Sequence, residues 1–386
     1  VRSIPGLLVA LITASPPASE VAATGLTESR RIRDADIRFF ESRIVRDPGG
    51  ALDLVRLGGL LLLRYRDRGD EQDLVTAERA ARRALSNRGR HNDAGWRLLT
   101  AALSGQHRFL EARRGAERQV AMAPEDAAAQ AILGEVLLEL GEYPAADRIF
   151  RRLTPRRFEP ALAPRYARWL ELRGQAGAAR RLLESARDAA TGAGDLIPFE
   201  QRAWYDLRLA ELAFRFRAWR TAAREIENGL ARVPDDWRLL ALAARLALRT
   251  GTVDRAIDFG NASLAQRLDP ATLATVGDAW QRKGNPGRAE EHFRAMEAMS
   301  QSPPGGFHRS WYLALLDHDR RIPEVLARVQ ADLETRRDVY GYDLFAWALY
   351  KSGRTAEARR VMSQALAWGT EDPELRARAR ILGVVR

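Results

Sequence analysis

Apolar and polar positions alternate along this chain with a helical period, and the pattern is clearest between residues 129 and 153. Leu133, Val136, Leu137 and Leu140 recur at spacings of three and four, which places them on one stripe of a helix. A break at Gly141 follows, and Tyr143, Ala146 and Phe150 form a second apolar stripe. The pattern predicts two helices joined by a tight turn, with Gly141 in the left-handed conformation that ends a helix without a Cβ penalty. Gly134 and Ala146 are small residues at positions where the two helices approach closely, and Tyr143 and Phe150 fill the space between layers.

The same punctuation returns down the chain. Aligned on the alanine after the turn, Ala112, Ala146, Ala179, Ala222, Ala256, Ala289 and Ala358 are separated by 34, 33, 43, 34, 33 and 69 residues. The longest step spans two units, and the 43-residue step contains an extra segment, "ATGAGDLIP", at 190–198. Gly141, Gly174, Gly251, Gly284 and Gly353 each stand five residues before their alanine. A period of 33–34 residues built from two helices is the mark of a stacked helical array. Pro124 and Pro234 terminate second helices. One helix pair cannot bury its stripe alone, so units must stack, and contacts are expected between nearest neighbours only.

These residues resemble tetratricopeptide repeats (TPRs). "AQAILGEVLLELGEYPAADRIFRRL" has the Leu-Gly of a first helix, the turn glycine, and the alanine and aromatic of a second. The unit around Trp96, Leu99 and Ala112 is similar, as is "GYDLFAWALYKSGRTAEARRVMSQAL" with Ala358 and Ala365. Leu133, Gly134, Ala146, Phe150, Ala179, Ala222, Ala256, Gly277, Ala289 and Phe293 occupy further repeat positions. The resemblance extends from about residue 50 onward. It implies an all-α, right-handed superhelical solenoid of antiparallel helix pairs, with eight to nine units. The layout as a whole resembles bacterial multi-TPR proteins with a signal-like start.

The expected organisation begins with a signal peptide or disordered tail at 1–23 and a capping helix within 24–50. Units follow at 51–91, 93–126, 127–159, 160–195, 199–236, 237–269 and 270–299. A linker at 300–306, two units over 307–371 and a capping helix at 372–386 complete the chain. The unit at 51–91 carries "RYRDRGDEQDL" as an insertion between its helices, and the unit at 307–337 has Val325 in place of alanine and no turn glycine.

Composition narrows the chemistry. The chain is 46% hydrophobic and 29% charged, which suits a folded protein. Cysteine is absent, so disulfides, thiolate metal sites and cysteine nucleophiles are excluded. The five histidines form no HExxH or paired metal spacing, and no P-loop, GxSxG or GxGxxG occurs. Asp317, His318 and Asp319, with His308 nearby, form the most enzyme-like constellation, but adjacent residues at a helix end point in different directions. No catalytic residue, metal or cofactor is assigned, and the chain is read as a non-enzyme.

The start, "VRSIPGLLVALITASPPASEVAATG", has a basic residue, a short apolar run and small residues suited to cleavage after Ala23. Export to the periplasm or beyond follows if this segment is a signal peptide, and a cytoplasmic location otherwise. No later window approaches the ~18 apolar residues of a membrane helix.

The formal charge is +11, with 62 basic residues of which only Lys283 and Lys351 are lysines. Arginine is interleaved with Asp and Glu, as on ordinary charged helix surfaces, and arginine-rich codon usage accounts for much of it. The TPR resemblance implies that first helices line a concave face that binds protein segments. Carried over by position, that lining includes Arg168, Trp204, Arg208, Glu211, Arg215, Arg238, Arg245, Arg249, Arg282, Asp343, Trp347 and Tyr350. Arg97, Glu135, Glu139, Glu171 and Asp278 join them. Such a face suits an acidic protein or peptide partner through Arg–carboxylate pairs and aromatic anchors. The aromatics also fit packing between layers. The alternative is nucleic-acid binding by the same arginines, which the interleaved carboxylates disfavour. The Lys/Asn clamp that some TPR proteins use for chaperone tails is missing, since asparagine is absent from this face.

Overall fold

The computed structural model describes residues 18–153, 162–194, 197–300 and 309–385. The segment 1–17, His308 and nearly all of the expected linker lie outside the described residues. The first helix, α1 (Ala18–Arg46), is followed by nine antiparallel pairs. These are α2 (Ala51–Arg68) with α3 (Glu71–Asn87), α4 (Asp93–Gly105) with α5 (Phe109–Met122), and α6 (Ala127–Leu140) with α7 (Tyr143–Arg152). Then come α8 (Ala163–Leu172) with α9 (Ala176–Gly192), α10 (Phe199–Arg215) with α11 (Trp219–Arg232), and α12 (Trp237–Thr250) with α13 (Val253–Gln266). The last are α14 (Pro270–Arg282) with α15 (Pro286–Met299), α16 (Arg309–Asp317) with α17 (Ile322–Asp332), and α18 (Val339–Lys351) with α19 (Thr355–Leu366). The final helix, α20 (Pro373–Ile381), packs on α18.

Local chemistry explains many of the starts and turns. The side chains of Asn92, Asp126, Asp236, Asp269, Asp338 and Asp372 accept hydrogen bonds from backbone N–H groups at the starts of α4, α6, α12, α14, α18 and α20. The five turn glycines all have positive φ, from 73° at Gly174 to 87° at Gly251. At two turns that lack glycine, His107 (φ 57°) and Arg217 (φ 59°) take the same place, five residues before Ala112 and Ala222. The packing of the pair therefore imposes the left-handed residue even where sequence does not favour it.

The repeat positions lie where the periodicity predicts. Ala112, Ala146, Ala179, Ala222, Ala256, Ala358, Ala365 and Phe150 are fully buried, and Ala289, Phe293 and Leu99 nearly so. Trp96 and Leu133 pack half-buried against the core. Gly134 and Gly277 meet the rings of Phe150 and Phe293, which lie 2.7 Å and 2.5 Å from where a Cβ would stand.

Three expectations are corrected, and one irregular unit finds its place. "RYRDRGDEQDL" is not an insertion: Arg64–Arg68 completes α2 and Glu71–Leu74 begins α3, with only Gly69 and Asp70 between them. Gly69, at φ 71°, closes α2 through its N–H to the Tyr65 carbonyl, and the Asp70 side chain caps α3. The segment after Ala189 is likewise partly helical, because α9 continues to Gly192 with Ala190 buried. The 307–337 unit packs as an ordinary pair in its described part, with Val325 buried and Arg321 in the left-handed region at φ 50°. Finally, contacts are not confined to neighbouring units.

The array coils until separate turns of the superhelix touch. On one seam α1 and the α2–α3 unit meet units four and five places later. Arg30 pairs with Asp235 at 2.6 Å, Arg33 with Glu200 at 3.0 Å and Arg267 with Glu71 at 3.1 Å. Leu26 packs with Ala203 and Val233. The first helix is thus a strap across the seam as well as an end cap, and cleavage after Ala23 would fall within it.

On the second seam, the α6–α7 turn meets the segment before α18. The Arg337 N–H donates to the Leu140 carbonyl at 3.2 Å, and Arg336 pairs with Glu139 at 3.0 Å. Gly141 lies so close that its Cβ would stand 2.2 Å from the Arg337 carbonyl oxygen. Such contacts between turns are absent from a simple nearest-neighbour array.

Candidate functional site in the superhelix interior

First helices of the pairs face inward, so coiling turns their concave faces into one cavity of about 1740 Å³. Every even-numbered helix from α2 to α20 contributes to its wall. Drug-sized ligands occupy pockets of roughly 300–1,000 Å³, so the volume suits part of a macromolecule.

The wall is a lattice of arginines and carboxylates around aromatic rings. Glu171, on α8 and almost fully buried, accepts from Arg208 at 3.2 Å and Arg215 at 2.8 Å, with Arg168 3.8 Å away. Arg215 also approaches Asp372 at 3.6 Å, joining α10 to the start of α20. Tyr340 lies between the guanidiniums of Arg168 and Arg309, 4.9 Å and 4.8 Å from its ring centre. Glu135 pairs with Arg165 at 2.8 Å and Arg97 with Asp126 at 2.5 Å. Charged groups facing one another across units are expected here, because each first helix presents its polar side to the interior.

Of the residues expected on the concave face, Arg168, Trp204, Arg208, Glu211, Arg215, Arg245, Arg249 and Trp347 line the cavity, together with Arg97, Glu135, Glu139 and Asp278. Four others do not. Asp343 is fully buried beneath the wall, gripped by Arg309 at 2.5 Å and by Nη2 and Nε of Arg378 at 2.6 and 2.8 Å. Burial alone would raise the Asp343 carboxyl, but the Arg378 and Arg309 guanidiniums outweigh it and hold it below the usual carboxylate range. Arg282 donates to the Leu248 carbonyl at 2.6 Å, and Tyr350 stacks on Trp347 with centroids 5.2 Å apart. Arg238 pairs with Asp236 and lines a smaller, neighbouring cavity of about 180 Å³. A one-position carry-over along a helix cannot tell the groove side from the seam side, which accounts for these misplacements.

Most of the arginines expected to await an acidic partner already hold this chain's own carboxylates. Arg245 and Arg249 differ. Both are exposed to the cavity from α12, one turn apart. Arg245 lies 4.7 Å above the Phe214 ring, with Glu374 only at 3.7 Å. Trp219 packs edge-on to Phe214 at 5.3 Å, so Arg245 stands over one ring of an aromatic pair, with Arg249 one turn further along α12.

Sequence reading missed Arg66, Arg165, Arg309, Tyr340 and Arg378, all of which line the cavity. The end helix α20 was expected only as a cap, yet Asp372, Glu374 and Arg378 project inward from it. Only the coiling brings it there.

The Asp317–His318–Asp319 constellation disperses as its adjacency predicts. The Trp347 indole N–H donates to Asp317 at 2.8 Å, His318 Nε2 lies 3.1 Å from Asp278, and Lys351 pairs with Asp319 at 2.7 Å. Burial pushes the Asp317 carboxyl up. No group of acidic and histidine residues among the described residues could hold a metal ion, and no described helix is long and apolar enough to cross a membrane.

No protein-family model matches the sequence, and no curated protein is similar to it. Solved structures do match in shape. A chain of the APC/C hetero-tetramer Cut9–Hcn1 superposes with a TM-score of 0.52 at 15% identity, covering 92% of this chain and 59% of that one. The chain is a TPR-like helical repeat protein. Human IFIT1, in its dimer with m7Gppp-AAAA, is similar at a TM-score of 0.42 and 15% identity, over 82% of this chain and 81% of its own. BtubC from P. vanneervenii gives 0.39 at 18% identity, over 53% of this chain and 94% of its own. At such identities the likeness is one of fold. The TPR-like array spans only 59% of the length of the Cut9–Hcn1 chain it matches.

Proposed function

We propose that this protein is a non-catalytic docking scaffold whose interior cavity holds an extended, acidic segment of a protein partner. The observation that carries the reading is Arg245 over the Phe214 ring with Arg249 one turn further along α12, both exposed in a cavity whose other arginines are mostly matched. Guanidinium forks recognise carboxylates through paired hydrogen bonds, and aromatic rings beside them anchor apolar side chains. The wall also carries Glu135, Glu139, Glu211, Asp278, Asp317, Asp372 and Glu374. A continuous phosphate backbone would meet these carboxylates at every turn, whereas a short acidic segment need touch only the cationic ledge. The Cut9–Hcn1 hetero-tetramer shows that a fold of this kind occurs within a protein assembly.

Fluorescence anisotropy with a labelled glutamate-rich peptide, its glutamine counterpart and a labelled single-stranded oligonucleotide tests the reading. The acidic peptide should bind, and Arg245→Glu combined with Arg249→Glu should weaken it roughly tenfold or more, as loss of charged hydrogen bonds does. Binding of the oligonucleotide alone, or an affinity untouched by the double substitution, would overturn it.

A further inference from the structure

The second helices of the pairs carry a charge pattern on their outer side, away from the cavity. Arg79 on α3, Arg114 on α5, Arg148 on α7 and Arg181 on α9 each stand two residues after a fully buried alanine, Ala77, Ala112, Ala146 and Ala179. At 3.6 residues per turn that is about 200° round the helix from the alanine, pointing away from the core. Four residues further on, Arg83, Arg118 and Arg152 repeat the placement on the first three of these helices. All seven are exposed.

None of the seven pairs with a carboxylate among the described residues. Arg79 donates to the Thr76 hydroxyl at 3.1 Å and Arg83 to the Pro48 carbonyl at 2.8 Å, both uncharged acceptors. Their sequence neighbours behave differently. Arg82, Arg113, Arg151 and Arg180, one residue before Arg83, Arg114, Arg152 and Arg181, hold Glu78, Glu117, Asp147 and Glu184. The carboxylates beside the stripe are thus engaged, and none occupies either of its two positions on these helices. Like charges four residues apart on a helix repel, so this face costs stability that a surface of alternating sign would not. At the corresponding position of α11, Arg224 bonds Glu225, and α13 and α15 carry Asp258 and Glu291 there. A register kept over four units, and of opposite sign in the sixth and seventh, is not the product of arginine-rich composition alone.

The geometry points to a second binding face: the outer side of α3, α5, α7 and α9 takes the phosphate backbone of a single-stranded nucleic acid. Guanidinium forks match phosphate oxygens, and the interleaved carboxylates that disfavour a polyanion in the cavity are missing here. A tight protein interface needs a desolvated centre, most often aromatic. Four residues before the first row of arginines stand only Val75, Leu110 and Pro144, all exposed and none aromatic. With no ring for bases to stack on, the contact is to the backbone and independent of sequence. Superhelical turns touch again after four to six units, so four units carry the stripe most of the way round the outside. A single strand bends to follow that path, whereas a duplex, stiff over about 50 nm, does not.

Fluorescence anisotropy of the full chain with labelled oligothymidylate over a salt series tests this. The wild type should bind, with log affinity falling against log salt at a slope of about −5, from about 0.7 for each of seven phosphates. The quadruple variant Arg114→Gln, Arg118→Gln, Arg148→Gln and Arg152→Gln should bind roughly tenfold or more weakly, with the slope flattened to about −2. The same four positions changed to Lys should keep most of the affinity and the slope, because the charge remains. The Gln variant should melt at or above the wild-type temperature, since repulsion is relieved. Arg245→Glu with Arg249→Glu, inside the cavity, should leave oligothymidylate binding nearly unchanged. Equal affinity of wild type and Gln variant, loss only in the cavity variant, or a duplex of the same length bound as tightly would each overturn the proposal. A clearly lower melting temperature for the Gln variant would do so too, by giving these arginines a structural role. If the Gln variant loses a glutamate-rich peptide instead of the oligonucleotide, the face docks protein and the nucleic-acid proposal falls. The cavity reading stands or falls separately, on whether the peptide is lost in the cavity variant.

Discussion

The hydroxyl of Tyr143 accepts a hydrogen bond from the backbone N–H of Val339 at 2.7 Å, joining residues 196 apart in a fully buried contact. Tyr143 is also edge-on to Trp368 at 4.7 Å. The α6–α7 turn is thereby tied to the first turn of α18, six units further along the chain. Tyr143→Phe should keep the ring packing but leave that N–H without a partner, costing about 1–3 kcal/mol. Urea unfolding measures the cost, and hydrogen exchange at the Val339 amide should accelerate while amides in α12 and α13 stay protected.

Two glycines with the same backbone conformation separate turn strain from contact between turns. Gly141 (φ 78°) faces the Arg337 carbonyl, whereas Gly353 (φ 84°) has open space where a Cβ would stand. Gly353→Ala should cost about 1–2 kcal/mol, the ordinary penalty for a left-handed alanine. Gly141→Ala adds a clash with backbone that cannot swing aside, so it should cost more and part the seam. Small-angle scattering would register the parting as a larger radius of gyration for Gly141→Ala than for Gly353→Ala.

Packing within a unit is open to a simpler check. Gly134 touches the Phe150 ring, so Gly134→Leu overfills a close helix contact and should destabilise by about 1–3 kcal/mol. An unchanged melting curve would mean that the α6–α7 pair is not packed as described.

Two aspartates pull the pH dependence in opposite directions. Burial, reinforced by Asp338 and only partly opposed by Arg336, pushes Asp332 up to about 6 from 3.8. The folded state then binds a proton that the unfolded state has released, so this residue stabilises more as pH falls from about 6 toward about 4. Asp332→Asn should raise stability at pH 7 by about 1–3 kcal/mol and flatten the curve there. Asp343 is held low by Arg378 and Arg309 against its burial. Its contribution is present above the unfolded value and is lost as pH falls through the folded one. Asp343→Ala should therefore cost about 3–5 kcal/mol at neutral pH, leaving two guanidiniums unmatched. Denaturant midpoints would show the Asp332 effect between about pH 4 and 7, and the Asp343 effect only on further acidification below about pH 4.

Much of this architecture is legible in the amino-acid sequence. Local rules produced it: the five-residue step from turn glycine to alanine, the apolar stripes, and the small residues at Gly134 and Gly277. These involve residues within one unit or the next, and a repeat states them many times over. The cavity lining was legible only in part. Arg245 and Arg249 follow from the first-helix register, whereas the Asp343 carboxylate, expected on the surface, lies buried between Arg309 and Arg378. The unit at 51–91 was misread because Gly69 closes a longer helix instead of opening a loop.

The sequence by itself determined the helix pairs, their period and their stacking, because burying a stripe against its neighbour is a short-range requirement that each unit meets alike. Only the tertiary structure decided which units meet again after a turn. That depends on a small rotation per unit, summed along the array and arrested where Tyr143 reaches Val339 and Arg30 reaches Asp235. No single unit encodes the sum. The closure of the groove into a cavity and the inward placement of α20 both follow from it.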